Sequence, residues 1–243
     1  MSLPIVRTDY KLFDIISSIF NLLAKKTASI EELEEILAKL SYKKYSVFFP
    51  QLRYGMKATF EVSMLPGSFV GVPTYTCSVV PHSVAMAGCN IDFNDCNKKN
   101  LTTEIFKSKK NSANIVTPWY GSPLDRNISY EKITFGDFSH VNILNLKHFL
   151  RDGFDALFFS FSPGKPISSV GGGLVATDNE ELYKDLKKIN KRYGIKSIDF
   201  NQLVFTLLGS IINKLKLEGL KVGLDNSGSL DFLREPLNEI SFG

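Results

Sequence analysis

The apolar positions in the first 40 residues recur at helical spacing. Residues 11–25 carry one apolar stripe, formed by Leu12, Ile15, Ile16, Ile19, Phe20 and Leu23. This stripe predicts an amphipathic helix. A second helix is predicted after Ser29, because Ser29 and Glu32 have the spacing of a capping box. Its apolar positions are Leu33, Ile36, Leu37 and Leu40.

From about residue 70 the pattern changes to short apolar runs bounded by turn residues. Six runs predict buried strands, at residues 69–72, 90–93, 114–117, 133–135, 156–161 and 174–176. Residues 78–87 predict a helix between two of these strands. Strands that alternate with helices indicate an α/β protein, here a three-layer α/β/α fold around a mostly parallel sheet.

The chain after the last predicted strand is rich in charge. Thr177 or Asp178 is expected to cap a helix, whose buried side is formed by Leu182, Leu186 and Ile189. A further helix is predicted from Asp199, and the Gly- and Asn-rich stretch from Gly219 is expected to be loosely ordered. We therefore expect one domain, with N-terminal helices in 1–45, an α/β core in 46–218 and a tail in 219–243.

The composition of the chain indicates which classes of protein it can belong to. With 243 residues and 44% hydrophobic content, the chain can bury a core of its own. The 29 Lys and Arg residues are scattered among 25 Asp and Glu residues, which does not favour a nucleic-acid partner. Cys77, Cys89 and Cys96 have no CxxC spacing and favour a reducing compartment. No apolar run reaches the roughly 18 residues that cross a bilayer, so we expect a cytoplasmic protein without a membrane partner.

A candidate nucleophile follows the strand predicted at residues 156–161. Ser162, Pro163 and Gly164 form a polar turn that leads to Lys165. At the end of a buried strand, partial desolvation favours the neutral, nucleophilic form of an amine. The alternative is an ordinary solvated lysine in a loop.

Other polar residues are expected at the same edge of the sheet, where ligands of parallel sheets bind. Asp137 could hold a protonated ring nitrogen with His140 beside it, or it could cap a helix. Ser160 could bind a phosphate or satisfy the backbone. The glycines at 171–173 could let an anion approach the backbone, or form a simple turn.

Two further sets of residues leave alternatives open. A flat aromatic ligand or the core could be lined by Tyr75, Cys77, Trp119 and Tyr120. A hydrolase built from Ser160, His140 and Asp137 is a formal alternative, but no GxSxG motif supports it.

Four motifs in order resemble those of the DegT-like sugar aminotransferases, which are pyridoxal-phosphate (PLP) enzymes of the aspartate-aminotransferase fold. The segment VPTYTCSVVPHSVAMAGCNIDF stands where the family has VPSxT…AGAxPVFVD, and WYGSPLD resembles YGxPADMD. The segment GDFSH corresponds to EDAAH or EDAAQ. The segments SFSPGKP, GGGLVAT and DNEEL correspond to SFHxxKN, EGGxVVT and DEEL. The resemblance covers roughly residues 45–205.

The resemblance implies a PLP-dependent aminotransferase that acts on a keto-sugar or a related carbonyl compound, with Lys165 as the Schiff-base lysine. It implies a homodimer that takes a small-molecule amino donor and a carbonyl acceptor. The implied cofactor contacts are Asp137 at the pyridine nitrogen, His140 facing the ring, Ser160 at the phosphate, Arg53 as a substitute phosphate ligand and Cys77 in place of the stacking aromatic residue.

The chain also departs from the family pattern. The segment QLRYGMKAT replaces the phosphate-binding Ser/Gly–Thr motif, and Ser162 and Pro166 replace the family's His and Asn. The asparagine that would reach a neighbouring subunit is not recognisable in GIKSIDFNQ, and we expect the small C-terminal domain to be absent. A second hypothesis is therefore a non-catalytic protein of the same fold that has lost PLP and serves as a binding or assembly module.

Overall fold

The computed structural model describes residues 29–96, 110–119, 124, 132–150, 153–169 and 171–193, which all belong to one compact unit over Thr27–Ile198. The helix predicted at residues 11–25, the helix from Asp199 and the tail from Gly219 lie outside the described residues, as does Tyr120. In the described ranges, no helix has the length and apolar character that spanning a bilayer requires.

The described elements alternate between strands and helices. The strands are β1 (Tyr45–Phe49), β2 (Phe69–Pro73), β3 (Asn90–Asn94), β4 (Asn111–Val116), β5 (Ile133–Asp137), β6 (Ala156–Ser160) and β7 (Gly173–Thr177). The helices are α1 (Ile30–Leu40), α2 (Leu52–Ser63), α3 (Val79–Met86), α4 (Glu180–Tyr193) and a 3-10 helix (Ile143–His148). All six predicted strands form, and so does the helix predicted at residues 78–87. The sequence pattern did not predict β1 and α2.

The seven strands form one sheet in the order β1-β7-β6-β5-β4-β2-β3. The pairs β2–β3, β2–β4, β4–β5 and β5–β6 are parallel. Strand β7 is antiparallel to both of its neighbours, β6 and β1, so it alone runs against the other six. This topology confirms the prediction of a mostly parallel sheet.

Two hydrophobic cores lie on opposite faces of the sheet. Ala156 and Phe158 of β6 pack with α2, α3 and α4, whereas Leu157 and Phe159 pack with α1 and the 3-10 helix. Successive strand residues point to opposite faces, so the apolar run of β6 supplies both cores. The helices on the two faces make the three-layer architecture that the pattern predicted.

One predicted core position in α1 is wrong. The capping box of Ser29 and Glu32 is present, but Ile36 is 54% exposed and Glu34 is buried. The carboxylate of Glu34 accepts hydrogen bonds from the Phe48 N–H at 2.8 Å and from Lys187 Nζ at 2.7 Å. Burial of this carboxylate is tolerated because both of its oxygens are satisfied.

The predicted cap of α4 is also wrong. The side chain of Asn179 accepts hydrogen bonds from the N–H groups of Glu181 and Leu182. Asp178 instead binds the Lys43 ammonium at 2.8 Å and the Lys44 N–H at 2.9 Å. Leu182 and Leu186 are buried as predicted.

Candidate active site

The carboxyl ends of the central parallel strands meet at one edge of the sheet. Tyr75 and Cys77 follow β2, Trp119 follows β4, and Asp137 is the last residue of β5. Ser160 ends β6, and Lys165 lies in the loop that follows it. The candidate residues therefore lie on one edge, as expected for ligand sites in sheets of this kind.

Lys165 is held in place by a tight turn. Its N–H donates to the carbonyl of Ser162 at 3.2 Å, which closes a four-residue turn. Pro163 precedes Gly164, and Gly164 has φ +84°, which is the arrangement of a type II turn. The hydroxyl of Ser168 donates to the Lys165 carbonyl at 2.7 Å. The backbone of Lys165 is therefore fixed on both sides, and its side chain is half-buried.

Asp137 is buried where β5 turns away from the sheet. Its Oδ1 accepts hydrogen bonds from the N–H of Ser139 at 3.1 Å and from the Ser139 hydroxyl at 2.5 Å. Phe138 anchors the same turn, because its N–H donates to the Phe158 carbonyl and its ring is fully buried. Burial raises the pKa of Asp137, while the Ser139 hydrogen bonds and the charge of Lys165 act in the opposite direction.

The amine of Lys165 lies against the imidazole of His140. Lys165 Nζ is 3.1 Å from His140 Nε2. Burial, together with the positive charge of Lys165, lowers the pKa of His140 to about 4, so the ring is neutral at pH 7. An ammonium group can only donate, and Nε2 of His140 is therefore the acceptor.

Aromatic rings flank the imidazole. The ring of Trp119 lies 4.5 Å from that of His140, with an interplanar angle of 34°. The indole N–H of Trp119 donates to the Tyr75 carbonyl at 2.5 Å, and the two aromatic rings are 4.9 Å apart. These contacts connect the loops that follow β2, β4 and β5.

A second group of candidates lies where α2 begins. Arg53 is in the first turn of α2. Burial lowers the pKa of Arg53 to about 10. The Coulombic interactions with Tyr54 and Cys77 act in the opposite direction. Cys77 in the loop after β2 is therefore near enough to act on Arg53, although Cys77 itself is exposed.

The glycine cluster allows α2 to begin directly against β7. Gln51 forms a bridge with Gly172, and a Cβ placed on Gly173 would lie 2.3 Å from the Cα of Leu52. Gly172 has φ +114°, and a Cβ there would lie 2.3 Å from the ring of Phe48. Close backbone approach, rather than flexibility, explains these glycines.

Ser160 does not join the lysine and the histidine. Its hydroxyl donates to the hydroxyl of Ser162 at 3.3 Å, while Nε2 of His140 faces Lys165. This arrangement is not a nucleophile–histidine–aspartate relay, because the serine does not contact the imidazole. The hydrolase alternative is therefore unsupported.

The segment around Lys165 carries a family signature. Residues 152–221 match the model of the DegT/DnrJ/EryC1/StrS aminotransferase family. The predicted resemblance to this family is confirmed. The match includes Ser160, Lys165 and the glycine cluster, and it begins after Asp137 and His140. A search of curated protein sequences gave no match.

Solved structures with the same fold share little sequence with this chain. NtdA from Bacillus subtilis, with bound cofactor PMP, superposes with a TM-score of 0.66 at 20% identity, over 79% of this chain and 48% of that one. PseC from Helicobacter pylori, an aminotransferase involved in the biosynthesis of pseudoaminic acid, gives 0.66 at 15% identity, over 77% and 55%. The E. coli GDP-4-keto-6-deoxy-D-mannose-3-dehydratase with bound hydrated PLP gives 0.60 at 18% identity, over 77% and 54%.

These likenesses establish the fold of PLP-dependent sugar aminotransferases and dehydratases for this chain. The chain spans about half the length of the solved structures that it matches. Sequence reasoning missed the hydrogen bonds of Ser139 to Asp137 and the ring contact between Trp119 and His140. An Asp followed two residues later by Ser is a signal for the first of these, because Asp side chains often accept from the backbone two residues on.

Proposed function

We propose that this chain is a PLP-dependent aminotransferase-like enzyme that acts on a keto-sugar or a related carbonyl compound, with Lys165 as the residue that binds the cofactor covalently. One observation carries the proposal. The Lys165 amine lies 3.1 Å from His140 Nε2, at the edge of the sheet where the Asp137 carboxylate is buried. An amine and a buried carboxylate in one site are the two groups that PLP chemistry requires.

The residues present fit the cofactor. The site offers a primary amine on Lys165 and a buried carboxylate on Asp137, and the first turn of α2 carries the half-buried guanidinium of Arg53. Gly173 lets the start of α2, and with it Arg53, pack directly against the start of β7 beside Ser160. When bound, PLP supplies an aldehyde for amines and a ring that accepts electrons.

Each polar side chain would have a distinct role. Asp137 would hold a proton at the ring nitrogen, since a carboxylate beside that atom favours its charged form. Neutral His140 would accept a hydrogen bond from Lys165 and so orient its amine. Lys165 Nζ would then take up and return the proton at the substrate carbon, as a general base. Ser160 and Arg53 would bind the phosphate, and Cys77 would lie beside the ring.

Absorbance tests this proposal directly. We expect the wild-type protein, titrated with PLP, to gain an absorption band that free PLP lacks. Lys165→Ala should not gain this band, because it removes the amine that lies 3.1 Å from His140 Nε2. Lys188→Ala is the matched control, since Lys188 is 72% exposed and binds Asp185. A wild-type protein without the band at excess PLP would exclude the enzyme.

The start of α2 favours a second candidate, a non-catalytic module of the same fold. The N-cap Gln51 makes no side-chain hydrogen bond to the helix, and the first turn contains Leu52, Arg53 and Tyr54 in place of Ser or Thr. This turn leaves Arg53 as the main candidate ligand for a phosphate. Transfer of an amino group from glutamate to a sugar in a panel of keto-sugars would exclude this candidate.

We further propose a homodimer that takes a small-molecule amino donor and a carbonyl acceptor in the cytoplasm. Support for the compartment comes from Cys77, Cys89 and Cys96, which form no disulfide. Analytical ultracentrifugation tests the oligomeric state. A monomer at high protein concentration would contradict the dimer.

A further inference from the structure

We propose that Ser139 is a positioning residue that fixes the Asp137 carboxylate by one oxygen, so that the other oxygen remains available to the ring nitrogen of PLP. This inference rests on the proposed function, because the second oxygen of Asp137 has a role only when the ring of PLP is bound. Ser139 is not part of the family motif that the chain resembles, where GDFSH stands in place of EDAAH.

The hydrogen bonds of Asp137 are unevenly divided between its two oxygens. Oδ1 accepts both the N–H and the hydroxyl of Ser139, at 3.1 Å and 2.5 Å. Within the described ranges, no group donates a hydrogen bond to Oδ2. Two donors from one residue hold Oδ1 in place and so limit the rotation of the carboxylate.

Ser139 can act in this way because its own position is fixed. Ser139 is itself buried, with 6% of its surface exposed. The residue before it, Phe138, donates its N–H to Phe158 and accepts a hydrogen bond from the N–H of Val141. The turn that contains Ser139 is therefore hydrogen-bonded to β6 and closed by a hydrogen bond of its own.

The same hydrogen bonds affect the charge of Asp137. A buried carboxyl is more easily protonated, and a protonated Asp137 could not keep a ring nitrogen charged. In the described structure the Lys165 ammonium is the charged group that acts on Asp137, and it favours ionisation. His140 is neutral at pH 7 and adds no charge. The Ser139 hydroxyl adds a hydrogen bond to the ionised form, which favours ionisation further.

The test measures ionisation of Asp137 in the full chain without PLP. The protein is labelled with ¹³C at the Asp carboxyl groups, and the Asp137 signal is assigned by its loss in Asp137→Asn. In Ser139→Ala we expect the titration midpoint of Asp137 to move upward by about one pH unit, because one charge-assisted hydrogen bond is lost. Ser139→Thr keeps a hydroxyl and should restore the wild-type midpoint.

Ser41→Ala is the matched control, because Ser41 is also a buried serine but donates its hydroxyl to the Ala38 carbonyl. It should leave the Asp137 midpoint unchanged. An unchanged midpoint in Ser139→Ala would overturn the inference. If Ser139→Ala does not fold, Ser139→Cys replaces it. A thiol is a weaker donor, so an upward shift in that variant supports the inference and no shift overturns it.

A second readout separates this inference from the proposed function. Each variant is titrated with PLP, and the pH dependence of the absorption band is recorded. A wild-type protein without the band contradicts the proposed function, whatever the carboxyl titration shows. A wild-type protein with the band, together with an unchanged Asp137 midpoint in Ser139→Ala, contradicts this inference alone.

Discussion

The close approach of α2 to β7 makes Gly173 a sensitive position. In Gly173→Ala the new Cβ would lie 2.3 Å from the Cα, 2.4 Å from the N and 2.6 Å from the Cβ of Leu52. Ordinary contacts between carbon atoms are about 3.5–4.0 Å. The start of α2 must therefore move away from β7 by more than about 1 Å, because backbone atoms cannot rotate out of the way as a side-chain tip can.

The magnitude follows from this clash. Overpacking of a core costs about 1–3 kcal/mol, and we expect a loss near 3 kcal/mol because backbone is displaced. Gly67→Ala is the control, since Gly67 has φ +79° but no atom within 4 Å of a new Cβ. That variant should lose only the cost of a left-handed residue, about 1 kcal/mol.

Urea denaturation followed by circular dichroism measures both variants under the same conditions. We expect Gly173→Ala to be less stable than Gly67→Ala by about 2 kcal/mol. Equal losses of unfolding free energy would refute the close contact between α2 and β7. The PLP absorption band should weaken in Gly173→Ala and persist in Gly67→Ala, because only the first variant displaces Arg53.

Three further predictions concern charged residues. Glu34→Ala should lower the unfolding free energy by about 3 kcal/mol, since it leaves Lys187 and the Phe48 N–H without their buried partner, whereas Glu34→Gln should cost less in the same denaturation assay. Asp137→Asn should raise the unfolding free energy by about 1 kcal/mol at pH 7 without PLP. Burial raises the folded-state pKa of Asp137, so this gain should vanish as the pH falls below the unfolded value of about 3.9. Arg53→Ala should weaken PLP binding by about tenfold, and Arg53→Lys by less, if a charge-assisted hydrogen bond is lost; spectroscopic titration measures both.

Much of the fold was predictable because buried strands leave a local signal. The runs at 133–135 and 156–161 became β5 and β6, with Asp137 and Ser160 at their ends. Strand β1 and helix α2 were missed. Gly55 lowers helix propensity, but a Cβ there would lie 2.8 Å from Val175 and 3.0 Å from Phe49. Glycine is therefore needed at this position for packing against the sheet, and that need is not visible in the local pattern.

The candidate site shows the same division. The strand ends and the motifs predicted that Asp137, His140 and Lys165 lie at one edge of the sheet. They did not predict the contact between Lys165 and His140. That contact depends on residues 25 positions apart. The predicted cap of α4 was wrong for a similar reason. Asp178 binds Lys43, which lies 135 residues earlier in the chain. Partners this distant depend on the tertiary fold.

The covalent site of PLP is the most direct test of the central claim. Wild-type protein is incubated with PLP, reduced with borohydride, digested and analysed by mass spectrometry. We predict one modified lysine, Lys165, because its amine lies beside His140 at the edge where Asp137 is buried. Modification of a different lysine, or no modification at saturating PLP, would contradict the account.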